Sequence, residues 1–599
     1  MTAATRPPMT GVTRRAGIAD PAALLARTRA RQAVLFVLVC LALVGVFGRL
    51  VYWQIGQHAA LAAQADTEHL RAMRVPAGRG SILDVNGKEL ALSVTKDTVI
   101  VDPALLRQDG TLAMTAARLA NLLNLPPALV WSEVDVPGAY VRLRGVDGNT
   151  LLLDPPLSQG VEDAIGAGQL DGVRLYPVVL RVYPDGALAS HVLGFVRTSD
   201  GTGQYGVEEA YERALAGQPG LLTTAVDVDG NPLATGPRQW TPPVPGASVT
   251  LTLDATVQDM AERGLADAVA QTGADGGTVI VLDPRTGAIL ALANQPAFDP
   301  NSYAASPLSA FNDPAISAVY DPGSAMKAMT MAIGIDSGAI TPDSSFYDPG
   351  YAIVGSTTLH NWGDIAWGQE TMTQVLQHSA NVGAIWVAER VGPGRFEDYM
   401  QRFGFGAKTA VDLPAESGGL LPHPSDAEQA ELAMAEQAFG ESIGVTPLQI
   451  AAAYGALANG GVLMRPYVVQ CVTADGGQGS RTCATPHAQR QVVSRATAQT
   501  VTQMLVESDQ YSEAEMHLIQ GYTVAAKTGT STPDPTQPAL TYASVVGFAP
   551  ASNPRFVLLV KLDHPRTTIF GGSAAGPLWR SLAQQLFVYE RILPDKPVQ

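Results

Sequence analysis

Asp321-Pro322-Gly323 runs into Ser324-Ala325-Met326-Lys327 and then into Ala328-Met329-Thr330-Met331-Ala332-Ile333, a stretch apolar almost all round. Such a stretch predicts a buried helix. A three-residue step puts Ser324 and Lys327 on one face of its first turn, with the hydroxyl near the helix N-terminus, whose free N–H groups favour a developing anion. Lys327 is the only charge from Ser324 to Gly334. Burial disfavours its protonated form, so a neutral Lys327 amine can take the proton of Ser324 and leave a serine nucleophile. On these residues alone, a capping serine beside a snorkelling lysine is the bland alternative.

Two further clusters decide between them. Ser379-Ala380-Asn381 falls between helical signals at Met372–His378 and Val382–Arg390, where serine and asparagine also serve as caps. Lys527-Thr528-Gly529-Thr530 ends a strand read at Tyr522–Ala526, where a cation and hydroxyls on a sheet edge can bind a carboxylate. Each is weak alone. In this order and at this wide separation, S-x-x-K, S-x-N and K-T-G form a serine-acylating signature.

On these residues the chain resembles a class B penicillin-binding protein, specifically the division-type (septal) peptidoglycan D,D-transpeptidase, from Arg79 to Trp579. Arg181-Val182-Tyr183-Pro184, His191-Val192-Leu193-Gly194 and Gly206-Val207-Glu208 resemble that family's pedestal. Ala438-Phe439-Gly440, Val445-Thr446-Pro447-Leu448-Gln449 and Ala458-Asn459-Gly460-Gly461 extend the match. Asn312-Asp313-Pro314 stands where the family usually has Asn-Arg-Ala, and Ala526 replaces the usual glycine before Lys527. The expectation is that the Ala526 methyl group lies beside the active-site strand and narrows access.

The resemblance implies that Ser324 attacks the D-Ala-D-Ala carbonyl of a donor stem peptide while Lys327 accepts the serine proton. Ser379 and Asn381 would relay protons and hold the substrate amide. Lys527 and Thr528, with Gly529 and Thr530 on the same strand, would position the terminal carboxylate, and the N–H groups of Ser324 and Thr530 would form the oxyanion hole. D-alanine would leave, and an amine from a neighbouring stem peptide would resolve the acyl-enzyme into a cross-link. β-Lactams would acylate the same serine. No cofactor and no metal are expected. Residues 56–235 lack the glutamate-rich motifs of a glycosyltransferase, so the expected partners are a membrane glycosyltransferase of the SEDS type and other divisome proteins.

Two rivals remain. A D,D-carboxypeptidase or β-lactamase would share the acylation and deacylate with water. Glu416 in Ala415-Glu416-Ser417-Gly418 is the tempting carboxylate, but Leu420 stands where class A enzymes carry asparagine, so a loop role is favoured. A non-turnover sensor or division scaffold would keep the nucleophile without the cycle.

The elements that must position these groups read as an α/β architecture. Val249–Asp254 alternates as a strand before a helical stretch from Ala255 to about Ala270. Thr278–Leu282 and Ala288–Ala293 are apolar runs joined by Asp283-Pro284-Arg285-Thr286-Gly287, a hairpin turn. Tyr522–Ala526, Tyr542–Phe548 and Phe556–Leu562 complete an expected five-stranded sheet, with helices between the two sets and an amphipathic helix around Leu578, Leu582, Leu586 and Tyr589. Upstream, Arg79–Asp84 leads through the Asn86-Gly87 turn into a strand-rich module. The expected divisions are 1–32 tail, 33–55 anchor, 56–236 pedestal, 237–248 proline-rich linker, 249–590 transpeptidase domain and 591–599 tail.

A chain of 599 residues exceeds a single core. Its formal charge of -16 disfavours a nucleic-acid partner. Ala33–Phe47 is uninterrupted apolar or small, preceded by Arg27, Arg29 and Arg31 and followed by Tyr52 and Trp53. This suits a single-pass anchor with a cytoplasmic N-terminus and the catalytic region outside the cell membrane; a cleaved signal peptide, using the small residues of 59–65, is the competing reading. Nine histidines and three cysteines form no zinc or iron–sulfur pattern, and Cys471 and Cys483 either pair or stay as two thiols.

Overall fold

The computed structural model describes residues 21–61, 70–138, 140–225, 238–512, 514–532 and 536–597. The first part of the expected tail, part of the 59–65 stretch and the expected boundary near Gly236 lie outside the described residues. The chain divides into two compact units, Met1–Val75 with Gly220–Pro242, and Pro76–Pro219 with Pro243–Gln599.

In the first unit, the helix Pro21–Val51 continues into a π-helical turn, Tyr52–Gly56. At 1.5 Å per residue the helix alone is about 45 Å long, enough to cross a bilayer. Its apolar segment, within Ala26–Gly56, has a mean hydropathy of 2.7 over its best window, and none of that window is buried. The same unit holds a three-stranded antiparallel sheet of Leu70–Val75, Gly220–Ala225 and Arg238–Thr241. Arg238–Thr241 was expected as connector. Its ladder with Gly220–Ala225 supplies a structure that its neighbouring prolines conceal in the sequence.

The second unit is organised around a five-stranded, wholly antiparallel sheet in the order Ile289–Gln295, Gly276–Leu282, Phe556–Asp563, Tyr542–Ala549, Ala525–Ser531. Alternate side chains point to opposite faces. Val279, Val281, Val545 and Val560 join one core with the helices Ala255–Thr272 and Gly571–Tyr589, where Trp579 is buried and donates from Nε1 to Leu558 O at 2.8 Å. Ile280, Leu282, Val546 and Leu559 join the other core with the helices Lys327–Asp336 and Pro447–Ala458. With both faces covered, the strands read as continuous apolar runs, which is why most were legible.

Lys527-Thr528-Gly529-Thr530 is a correction. These residues form the body of the edge strand Ala525–Ser531 and do not follow it: Lys527 pairs with Val546, Gly529 with Ser544 and Thr530 with Ala543. The ladder recruits polar residues that carry no apolar signal. Ala526 also departs from expectation. Its methyl group is buried in the core beneath the terminal helix, on the opposite strand face from Lys527 by alternation, so it does not narrow the opening.

The upstream module shares the second unit. A seven-stranded sheet runs through Arg481–Cys483, Val469–Thr473, Ser248–Leu251, Ile82–Leu83, Glu89–Val101 and Val141–Arg142, with Val173–Val182 also paired to Glu89–Val101. Cys471 and Cys483 form a disulfide across the first hairpin of this sheet. The polar centre of the module is Glu208, fully buried, which accepts from Arg79 Nε at 2.6 Å, Arg181 Nε at 2.7 Å and the Tyr183 hydroxyl at 3.2 Å. Two separate sequence segments thus converge on the carboxylate of a third. Asp313, also buried, caps Pro314–Ser317 through Ala315 N and accepts from Asn294 Nδ2, both at 2.9 Å.

Candidate active site

Ser324 lies in a 3₁₀ turn, Gly323–Met326, that opens the α-helix Lys327–Asp336. In a 3₁₀ turn positions i and i+3 eclipse, which stacks Lys327 directly on Ser324. Lys327 through Gly334 is buried on every side, and the helix is fixed laterally by Thr330 Oγ1, which donates to Ala438 O at 2.7 Å, and by the Tyr454 hydroxyl, which donates to Ala325 O at 2.8 Å.

The turn is seated by close backbone approaches that exclude side chains. Gly323 has φ +54, and a Cβ there would fall 2.4 Å from Thr530 O. Gly440 has φ +89, and a Cβ there would fall 2.1 Å from Gly323 O. At Gly529 a Cβ would meet Pro322 O at 2.6 Å and Ser544 Oγ at 2.5 Å. Glycine at these positions lets the edge strand lie against the backbone that carries Ser324.

Lys327 Nζ is the centre of the site. It is fully buried and lies 2.9 Å from Ser324 Oγ, 2.5 Å from Ser379 O, 3.2 Å from Ser379 Oγ and 2.7 Å from Asn381 Oδ1. Burial, helped by the nearby Lys527 cation and opposed by Glu441 and Glu370, holds its pKa well below the usual lysine range. Lys527, also buried, donates from Nζ to Ser379 Oγ at 3.1 Å, and burial brings its pKa down to about 8. The Ser379 hydroxyl therefore bridges the two amines.

Ser379 ends the helix Met372–His378, which starts at a capping box of Thr371 and Gln374. Its φ of +54 is left-handed, a conformation that costs a non-glycine residue about 1–3 kcal/mol. That turn directs both its carbonyl and its hydroxyl at Lys327. Asn381 opens the next helix, Asn381–Val391, and its Nδ2 donates to His360 O at 3.0 Å, which turns Oδ1 toward Lys327.

All of Ser324, Lys327, Ser379, Asn381, Lys527 and the 528–530 backbone thus belong to one locus. The Thr528 hydroxyl lies 3.4 Å from Lys527 Nζ, whereas the Thr530 hydroxyl accepts from Gly571 N at 2.9 Å and ties the edge strand to the terminal helix. Glu416 is not part of it. Its carboxylate accepts from Thr409 N, Thr409 Oγ1 and Ala410 N at 2.6, 2.5 and 3.0 Å and staples its own loop. Glu370, His378 and Asn361, which no motif marks, surround Ser379 and Asn381: His378 Nδ1 is 2.8 Å from Glu370 Oε2, and Asn361 Oδ1 accepts from Val382 N at 2.9 Å.

Comparison with known proteins places two domains on the chain. Residues 277–584 match the family described as penicillin binding protein transpeptidase domain, and residues 74–251 match the penicillin-binding protein dimerisation domain. The stage V sporulation protein D of Bacillus subtilis is 32% identical over 92% of this chain and 84% of its own length. The peptidoglycan D,D-transpeptidase FtsI of Escherichia coli is 29% identical over 94% of this chain and 92% of its own. The crystal structure of penicillin-binding protein 3 from Mycobacterium tuberculosis complexed with aztreonam superposes with a TM-score of 0.65 at 28% identity, over 88% of this chain and 99% of that one. With both domains matched and the Ser324–Lys327 pair lying within the matched transpeptidase domain, this chain belongs to the class B penicillin-binding proteins, the transpeptidases of cell-wall synthesis.

Proposed function

We propose that the chain cross-links peptidoglycan stem peptides in septal wall synthesis through an acyl-enzyme on Ser324, releasing D-alanine, and that β-lactams acylate the same serine. The observation that carries this is the set of oxygens around Lys327 Nζ. A neutral amine has two N–H donors and one lone pair. Ser379 O and Asn381 Oδ1, which can only accept, take the two donors. The lone pair is left to receive the proton of Ser324, 2.9 Å away.

Ser324 Oγ then attacks the D-Ala-D-Ala carbonyl, whose developing oxyanion lies by the N–H groups of Ser324 and Thr530. Lys527, cationic below about pH 8, holds the terminal carboxylate with Thr528. Proton return to the leaving D-alanine runs from Lys327 through the Ser379 hydroxyl. The acceptor amine of a second stem peptide attacks the ester carbonyl, passes its proton back along the same path and regenerates Ser324.

The helix Pro21–Val51 serves as a single membrane anchor in this reading, with the N-terminus in the cytoplasm and residues 56–599 outside. The 56–236 module and the anchor bind the SEDS-type glycosyltransferase and divisome proteins that supply glycan, and 249–590 performs the cross-linking. Purified chain supplied with pentapeptide precursor and an amino-bearing acceptor tests the chemistry. The expected products are a cross-linked peptide and one D-alanine per bond, both absent with Ser324→Ala. Release of D-alanine without cross-links would favour the carboxypeptidase reading.

A further inference from the structure

The strand Gly368–Thr371 carries a carboxylate that the acylation chemistry does not use. Glu370 is 1% exposed, and its Oε2 lies 2.8 Å from His378 Nδ1. His378 is the last residue of the helix that delivers Ser379, and its ring is stacked on Trp367 with centroids 3.9 Å apart and planes 9° from parallel. The imidazole is thus clamped on one face by an indole and at one edge by a buried carboxylate. Glu370 Oε1 is buried with no hydrogen-bond partner among the described residues.

A second buried carboxylate lies behind it. Asp348 accepts from Gly350 N and Asn361 Nδ2, each at 2.7 Å, and Asn361 Oδ1 in turn accepts from Val382 N. The segment 378–382 is therefore held on both sides: His378 by Glu370, and Val382 by Asn361 and Asp348. Between these two grips sit the left-handed Ser379 and Asn381, the two residues whose oxygens surround Lys327 Nζ.

We propose that Glu370 is a positioning residue for acylation: through His378 it holds Ser379 in the turn that aims its carbonyl and hydroxyl at Lys327. A buried carboxylate is costly unless it is paired, and the partner Glu370 has is the ring of His378. The charged groups facing Lys327 are Lys527 on the edge strand, Glu441 after the helix Ala427–Phe439, and Glu370. Those facing Glu370 are His378 and Asp348, and burial, with Asp348 adding and His378 opposing, raises the Glu370 pKa from its ordinary value. Glu370 favours the ammonium form of Lys327, so removing its charge frees the amine at lower pH.

The inference rests on Lys327 as the base, and the experiment separates the two. Second-order acylation by a fluorescent penicillin is measured against pH for the wild type, Glu370→Gln and Glu370→Ala of the full-length, detergent-solubilised chain. Glu370→Gln, which keeps a partner for His378, is expected to acylate within about threefold of wild type at the plateau. Glu370→Ala, which leaves His378 ungripped, is expected to lose about tenfold or more at the plateau, and His378→Gln in the wild-type background to fall between. A wild-type profile with no lysine-like limb would overturn the base reading itself. Glu370→Gln and Glu370→Ala losing acylation alike, so that a neutral partner for His378 rescues nothing, or an alanine variant that acylates at the wild-type rate, would overturn the role of Glu370 alone.

Discussion

Lys327 Nζ and Ser324 Oγ lie 2.9 Å apart across one 3₁₀ turn, and the lysine is fully buried. The pairing combines a short sequence spacing with a burial that only the assembled fold provides. The spacing puts the two groups in register; the surrounding core removes the amine from water, and the acceptors at Ser379 and Asn381 take two of its hydrogen bonds.

Acylation should show a bell-shaped pH profile. Lys327 must be neutral, so the rate falls as pH drops through its lowered pKa. Lys527 must be cationic, so the rate falls again as pH rises through about 8. Lys527→Arg, which stays charged, should remove the upper limb, and Lys327→Arg should acylate at least a thousandfold more slowly. An active Lys327→Arg variant would exclude the lysine as base.

Gly440→Ala should abolish acylation, because its Cβ would fall 2.1 Å from Gly323 O and push the Ser324 turn off the edge strand. Gly338→Ala is the control. It shares a positive φ of +75 but has nothing within 4 Å of the added Cβ, so its cost is confined to about 1 kcal/mol of backbone strain with acylation intact. Penicillin labelling and thermal unfolding of both variants, side by side, give the comparison.

Glu208→Ala should destabilise the second unit by about 3–5 kcal/mol, since it leaves the buried guanidinium groups of Arg79 and Arg181 without their shared counter-ion. The midpoint of urea unfolding measures this. A change under about 1 kcal/mol would mean that solvent or other groups take over both arginines.

Asp313 gives stability a pH dependence of defined sign. Burial pushes its pKa up to about 7 from an ordinary 3.8, against the opposing hydrogen bonds from Ala315 N and Asn294. The folded state therefore keeps a proton that the unfolded state has lost, and the stability it contributes is full below about pH 4 and is lost as pH rises through about 7. Asp313→Asn should gain in Tm relative to wild type as pH goes from 5 to 8. A Tm difference that stays constant over that range would contradict the assignment.

The parts of this protein that were legible in its sequence are those where one short segment carries both pattern and chemistry. Ser324-Ala325-Met326-Lys327 followed by an apolar run gave the buried helix and the pair on it, and the apolar runs at Thr278–Leu282 and Phe556–Leu562 gave sheet strands, because burial on both faces leaves no polar alternation to confuse the reading. The Lys527–Thr530 segment was misplaced for the opposite reason: its strand character comes from pairing with Tyr542–Ala549, while its composition serves the site. Arg238–Thr241 was hidden by its prolines in the same way. Glu370 and His378 were invisible because they are eight residues apart on a strand and a helix, and nothing local marks a glutamate as buried. The convergence of Arg79, Arg181 and Glu208 was present as motifs, but their contact depends on a sheet that joins residues 82–101 to 248–251.

The proposed chemistry stands or falls on the nucleophile, which is measured most directly by mass spectrometry of the full-length chain after brief exposure to a fluorescent penicillin, followed by proteolysis and mapping of the adduct. One stoichiometric acyl group on the Ser324 peptide, absent in a folded Ser324→Ala variant, is the result expected from a hydroxyl 2.9 Å from a buried amine whose pKa is held well below the usual lysine range. An adduct on Ser379 or any other residue, or undiminished labelling of Ser324→Ala, would contradict it.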